Sequence, residues 1–324
     1  MAILGNPLSK VEVVLNQFGK DVYDGLSSKP KFLSSKYFYD EIGDQIFVEI
    51  MKMPEYYLTN CEFEILSEQG EEIRKAFAIE GEEFELIELG AGDGTKTIEL
   101  LRAFEKDSLV YKPIDISPFA ISNLKDRLET ELPWLSVKGE QGEYFKVLKD
   151  LKNDKKKIVL FLGSNIGNLL DEQSKDFIAQ LSMNLKSGDC VLLGVDLKKD
   201  PSIILPAYND PHGHSRSFNL NLLQRINKEL LADFNLHNFE HRPKYDQEAG
   251  IALSYIESLV DQEVRIESLN ESFMFEKGEL IHTEVSRKYD DTVIADIVSE
   301  SGLKVKRTFT DKKGYFSDYL LMKT

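Results

Sequence analysis

Phe84-Glu85-Leu86-Ile87-Glu88-Leu89-Gly90-Ala91-Gly92-Asp93-Gly94-Thr95-Lys96-Thr97 is the stretch that decides the fold. An apolar strand runs into three glycines at alternate positions, and a helix starts near Thr95. Glycines let a backbone approach a ligand closely, and the first turn of the helix points its N–H groups the same way. That pattern predicts a nucleotide-type cofactor, although a tight strand-to-helix turn uses the same residues. The spacing is G-x-G-x-G: Thr95 stands where the last glycine of the dinucleotide fingerprint would fall. Glu88 lies two residues before the first glycine. Asp115 closes the next strand, 25 residues after Gly90, where a carboxylate can accept both hydroxyls of a ribose. Together they fit S-adenosylmethionine better than NAD, with Glu88, Gly90, Gly92 and Asp115 as cofactor residues.

Outward from this stretch the alternation continues. Strands are expected at Leu109–Ile116, Leu135–Val137, Ile158–Leu162 and Cys190–Val195, and helices at Lys96–Phe104, Pro118–Thr130 (capped by Ser117), Tyr144–Leu151 and Gln173–Leu185. Such units build a parallel, doubly wound α/β sheet. Gly142-Glu143-Tyr144 follows the third strand, where an adenine edge would lie. The end of the chain differs: Leu303–Thr310 and Tyr315–Met322 alternate around Asp311-Lys312-Lys313-Gly314 and predict a hairpin. An antiparallel strand there marks the Rossmann-like class I methyltransferase sheet. Residues 1–61 and 197–288 break the alternation. The expected division is therefore 62–196 with 289–324 for the cofactor, and 1–61 with 197–288 as an α+β substrate-binding subdomain.

Composition narrows the function. The 324 residues carry a net charge of −16, which repels phosphate backbones and argues against a nucleic-acid partner. No apolar run approaches a membrane span, and the N-terminus has no basic start, so a cytoplasmic protein is expected. Cys61 and Cys190 are too few for a disulfide framework in a chain this long and read as reduced thiols.

Other segments carry candidate chemistry. Phe161-Leu162-Gly163-Ser164-Asn165-Ile166-Gly167-Asn168 ends a buried strand in glycines and short polar groups, where the transferred methyl must sit. DNA and RNA base methylases often carry an Asn/Asp-Pro-Pro-aromatic box at this place, which this chain lacks. Asn168 reads as a carboxylate or amine ligand, or as an ordinary turn residue. Tyr56-Tyr57 offers two adjacent phenols, which more often serve a core. His212-Gly213-His214, in a polar loop over Tyr208–Ser217, has no further metal-type ligands at suitable spacing, so no metal is expected. His282, Glu284 and Ser286 share one strand face and can grip a polar ring.

These segments together resemble the histidine-specific Nα-methyltransferases of the ergothioneine pathway. The resemblance rests on Lys36-Tyr37-Phe38-Tyr39-Asp40, Pro54-Glu55-Tyr56-Tyr57, Glu88-Leu89-Gly90-Ala91-Gly92, Phe161-Leu162-Gly163-Ser164, Ile166-Gly167-Asn168, Ala207-Tyr208-Asn209-Asp210 and Thr283-Glu284-Val285-Ser286. It implies transfer of up to three methyl groups from S-adenosylmethionine to the α-amine of histidine, giving hercynine. It further implies that Tyr56, Glu284 and Ser286 hold the imidazole, that Asn168 and Tyr208 hold the carboxylate, and that Tyr39, Gly163 and Asn168 surround the amine. Gly90, Lys96, Asp115 and Glu143 would then serve the cofactor. The chain departs from the family at Leu253, where a methionine is common, and in the loop Pro211–Ser217. Two alternatives stay open: an Nα-methyltransferase for another amino acid or small amine, and a non-catalytic S-adenosylmethionine-binding regulator. A monomer or weak oligomer acting on a small molecule is expected.

Overall fold

The structure, a computed structural model, describes residues 16–79, 81, 83–115, 118–150 and 154–324. The N-terminal stretch read for a leader and the expected cap Ser117 lie outside the described residues. Two units emerge: one of Met1–Glu49, His212–Pro243 and Ser254–Glu284, the other of Ile50–Pro211, Lys244–Leu253 and Val285–Thr324.

The second unit is built around the Phe84–Leu89 strand, which is buried at every position. Its alternate residues enter different cores. Phe84 and Leu86 pack with Ile158, Leu160, Leu192 and Leu320. Ile87 and Leu89 pack with Val159, Phe161, Val191, Leu193 and Leu321. Burying each large aliphatic chain stabilises by about 1.5–3 kcal/mol, so continuous apolar strands favour a sheet covered on both faces. Glu85 is tolerated there because Lys112 Nζ lies 2.7 Å from its carboxylate.

The sheet order is Leu303–Thr310, Phe316–Lys323, Cys190–Asp196, Lys156–Phe161, Phe84–Leu89, Leu109–Asp115, Ser136–Val137. The last five are parallel. The terminal hairpin is antiparallel and inserts its second strand beside Cys190–Asp196, pairing Phe316 with Asp196. Asp311 makes the hairpin turn: its carboxylate accepts the N–H groups of Tyr315 and Phe316, both at 2.7 Å, and of Lys313 at 2.9 Å. This is the Rossmann-like methyltransferase arrangement expected from the sequence. Glu140–Gln141 adds a two-residue strand beside Leu109–Asp115 that has no readable alternation. Cys61 and Cys190 are buried free thiols.

The first unit carries the helix Gln17–Ser27, most of a four-stranded sheet and the helix His214–Leu230. The segment expected to be loop from Tyr208 to Ser217 is shorter: the helix Pro201–Tyr208 ends at its start, and the next helix begins at His214 after Gly213 at φ 76°. Its first turn, His214-Ser215-Arg216-Ser217, carries no apolar residue to start a helical period, and this disguised it. Among the described residues no helix is long and apolar enough to cross a membrane.

Candidate active site

The glycine run forms an open cradle. Gly90, Gly92 and Gly94 have φ of 73°, 56° and 70°, which other residues rarely adopt. A Cβ on Gly90 would sit 2.7 Å from the Tyr144 hydroxyl, whereas one on Gly92 would meet nothing within 4 Å. The helix Thr95–Arg102 starts directly after Gly94, and Asp93 accepts the Thr95 N–H at 3.0 Å. Asp115 ends its strand half-buried, and its carbonyl accepts the Gly142 N–H at 3.0 Å. Burial, then Asp115, pushes the Tyr144 phenol up to about 12. Glu143 is exposed and pairs with Lys146 at 2.8 Å. Bare backbone, an N-terminal helix turn and a carboxylate at the next strand tip fit an adenosine cofactor such as S-adenosylmethionine.

Glu88 is held differently. It is buried, accepting the Thr97 hydroxyl at 2.7 Å and the Tyr111 hydroxyl. Burial outweighs those bonds and raises its carboxyl to about 7. Because the folded value lies above the unfolded one, near 4.5, the stabilising contribution is full below pH 4.5 and is lost as pH rises through 7. The loss is on the order of 3 kcal/mol. Glu88→Gln is expected to remove this part of the stability–pH slope in urea unfolding between pH 4.5 and 7. An unchanged slope would contradict it.

Beside the cradle, Gly163 at φ 73° donates its N–H to the buried Glu62 carboxylate at 2.7 and 3.0 Å. Lys96 Nζ also bonds Glu62, and burial, which alone would lower its affinity for the proton, is outweighed by Glu62. Gly194 leaves the room: a Cβ there would lie 2.2 Å from Glu62 Oε1 and 2.9 Å from Asp318 Oδ1. Among the described residues neither Asp318 carboxyl oxygen has a hydrogen-bond partner, and burial, then Glu62, raises this acid well above the usual range.

A second network surrounds Asp196, which is fully buried at the end of its strand. Its carboxylate accepts the Tyr57 hydroxyl at 2.9 and 3.1 Å, Lys288 Nζ at 2.8 Å, and Lys199 Nζ. Lys288, also fully buried, donates to the Tyr208 hydroxyl at 2.6 Å and to Ser286 Oγ at 2.9 Å. The Tyr208 hydroxyl donates to Ser286 Oγ at 2.8 Å. Burial alone would lower the Lys288 pKa, but Asp196 outweighs it and the net shift is upward. Lys199 is shifted down, by burial first.

The remaining expected residues are spread over both units. Asn168 is exposed at the end of the turn Asn165–Asn168; Tyr56 precedes the helix Tyr57–Glu68, and Leu253 is half-buried in the strand Ile251–Ser258. In the first unit, Tyr39 is 43% exposed, with its ring edge-on to Phe47 and Phe218 at 5.6 and 5.5 Å. The strand Leu280–Arg287 carries half-buried Glu284 two positions before Ser286. His282, expected to share that face, turns its Nε2 to the Glu284 carbonyl at 3.0 Å and packs on Tyr255.

Residues 18–323 match the family described as histidine-specific methyltransferase, SAM-dependent. The chain belongs to that family. It is 34% identical over 300 residues to histidine N-alpha-methyltransferase of Mycolicibacterium smegmatis, covering 92% of each chain. To the Mycobacterium tuberculosis protein of the same name it is 33% identical, again over 92% of each. It is also 26% identical to L-tryptophan methyltransferase trpM of Psilocybe serbica, covering 91% of this chain and 90% of that one.

For this S-adenosylmethionine-dependent methyltransferase, sequence reasoning brought out Tyr208 and Ser286, which the structure joins directly. It passed over Glu62, Asp196, Lys199 and Lys288. Asp196 was visible as the acid closing a buried strand, and Lys288 as a cation two residues past Ser286. Lys199 and Glu62 had no signal beyond an ordinary charged residue in a helix or loop.

Proposed function

We propose that this methyltransferase acts on the α-amine of L-histidine, adding up to three methyl groups to give hercynine. The Lys288–Tyr208–Ser286 network carries the reading. Two buried ammonium groups, Lys288 and Lys199, share one carboxylate, Asp196. Their excess positive charge lies behind the Tyr208 hydroxyl and suits the carboxylate of an amino acid. In this reading Asn168 assists Tyr208 at the carboxylate, and Tyr56, Glu284 and Ser286 take the imidazole. Gly90, Gly92, Lys96, Asp115, Gly142, Glu143 and Tyr144 serve the cofactor, with Glu88 shaping the cradle from beneath. The division of labour is 62–196 with 289–324 for the cofactor and 1–61 with 197–288 for the substrate. The protein works in the cytoplasm as a monomer or weak oligomer.

Bound S-adenosylmethionine supplies an electrophilic methyl group on a sulfonium. The protein's contribution is mainly orientation and exclusion of water. Tyr39 aligns the amine and passes its proton to water. Gly163, lacking a side chain, leaves space as the amine nitrogen becomes fully substituted. Its position is held by the Glu62 carboxylate that Lys96 neutralises.

The test is one incubation of labelled cofactor with a full amino-acid panel, read by mass. Histidine is expected to gain three methyl increments; methylation of a different amino acid alone would overturn the assignment. That outcome is the second reading, and Leu253 in place of the family's common methionine favours it. Asp115→Ala is expected to weaken S-adenosylmethionine binding by about tenfold, or about 1.4 kcal/mol, in calorimetric titration whatever the acceptor. Undiminished affinity would remove Asp115 from the ribose.

A further inference from the structure

The structure assigns the half-buried Asn165, two residues past Gly163, to the amino-acid end of S-adenosylmethionine. The inference rests on the placement of the cofactor ribose at Asp115. The turn Asn165–Asn168 follows the strand Lys156–Phe161, and Ser164, at φ 58°, bends the chain between them. The Asn165 side chain thereby comes back over the cofactor cradle. Its Nδ2 lies 3.3 Å from the point a Cβ on Gly90 would occupy. Both its Nδ2 and its Oδ1 lie 3.7 Å from the corresponding point on Gly163. One amide therefore spans the glycine that opens the cradle and the glycine assigned to methyl transfer. The neighbouring Ser164 Oγ is committed to the Asp196 N–H at 3.0 Å, and the Asn165 N–H to the Leu162 carbonyl at 3.4 Å. Among the described residues the Asn165 amide itself has no hydrogen-bond partner.

The order of the strands gives the direction of the cofactor. Leu109–Asp115 and Lys156–Phe161 flank Phe84–Leu89 on opposite sides. With the ribose at Asp115 on one flank and the methyl group at Gly163 on the other, the cofactor crosses Gly90. Its amino-acid end is bonded to the same sulfur as the methyl group, so it falls among the polar groups around Gly163. Those groups are Asn165 and Lys96, whose Nζ lies 3.4 Å from the same point on Gly163. Lys96 gives one hydrogen to Glu62, which leaves the others for a ligand. The amino-acid end is a zwitterion: its carboxylate only accepts hydrogen bonds and its ammonium only donates them. A primary amide answers both, with N–H donors on one atom and lone pairs on the other. A charged side chain in its place would draw one group and repel the other.

The experiment is calorimetric titration of the full-length protein with two ligands, S-adenosylhomocysteine, which carries the amino-acid end, and 5′-methylthioadenosine, which lacks it. Wild type is expected to bind the first more tightly; equal affinities would show that the amino-acid end has no hold in the site and overturn the inference. Asn165→Ala is expected to weaken S-adenosylhomocysteine by about tenfold or more and to change 5′-methylthioadenosine by less than about twofold. Both ligands weakened alike would reduce Asn165 to a support of the turn, and neither weakened would remove it from the cofactor; each overturns the inference. So would unchanged S-adenosylhomocysteine affinity with weakened L-histidine, which would move Asn165 to the acceptor. Asn165→Leu keeps the volume without the hydrogen bonds and is expected to show the same split between the two ligands, so the test stands if the alanine variant does not fold. Asp115→Ala reads the underlying placement separately. It is expected to weaken both ligands alike, and no effect on either would overturn the ribose placement itself, whatever the Asn165 variants show.

Discussion

Asp196→Ala is expected to cost about 3–5 kcal/mol of unfolding free energy, the usual penalty for leaving a buried charge without its partner. Asp196 holds Lys199, Lys288 and Tyr57 at once, and both it and Lys288 have no exposure to solvent. Without the carboxylate, two ammonium groups face each other in a site that water does not reach. Lys199 has a partial escape, since it also donates to the Leu197 carbonyl at 2.5 Å and the Tyr57 hydroxyl at 3.1 Å. Among the described residues Lys288 is left with the two hydroxyls of Tyr208 and Ser286. The strand end itself stays tied to the Gly163 turn, because the N–H of residue 196 that bonds Ser164 Oγ at 3.0 Å belongs to the backbone and survives the substitution. Urea unfolding at pH 7 measures the effect. A loss below about 1 kcal/mol would show that water enters and solvates the lysines.

Glu284→Ala is expected to weaken histidine binding by more than about tenfold, which is about 1.4 kcal/mol or above. The carboxylate is half-buried on the strand that also carries Ser286. Under the proposed function it accepts the imidazole N–H while Ser286 serves the other ring nitrogen. A site built to pair a ring N–H rejects ligands that lack it, because the polar group is then left without its partner. The alanine variant loses that penalty along with the bond. Discrimination between histidine and an apolar aromatic amino acid should therefore shrink further than histidine affinity alone. Calorimetry with both ligands reads this directly, and unchanged histidine affinity would take Glu284 out of the imidazole role.

The fold was legible because its signals are local. A continuous apolar strand, alternate glycines and a capped turn each follow from a few neighbouring residues. So does the terminal hairpin, marked by Asp311 and Gly314. The short strand Glu140–Gln141 was invisible because two polar residues carry no period. The start of the helix His214–Leu230 was hidden because histidine, serine, arginine and asparagine serve loops equally well. The candidate site was legible in part. Gly90, Asp115 and Gly163 announce themselves by position in strand-to-helix turns. Tyr57 beside Tyr56 does not: only the structure shows that its hydroxyl is committed to Asp196. Glu88 was read as a cofactor residue from its place before the glycines, and its alternation in the strand explains what the structure finds, a side chain turned into the core toward Tyr111 and Thr97. Buried charge networks such as Asp196–Lys288 join residues 92 positions apart, and no local pattern encodes such a pairing.

The place of Phe316–Lys323 in the sheet bears on how the chain is made. This strand lies between Leu303–Thr310 and Cys190–Asp196, not at an edge. During synthesis the cofactor cradle emerges early, yet the flank of Cys190–Asp196, with its unpaired backbone, stays open until Phe316–Lys323, more than a hundred residues later, has left the ribosome. The nascent enzyme therefore carries its nucleotide-binding residues well before it owns a finished core, and loss of this short segment by proteolysis or an early stop would expose the interior of the sheet.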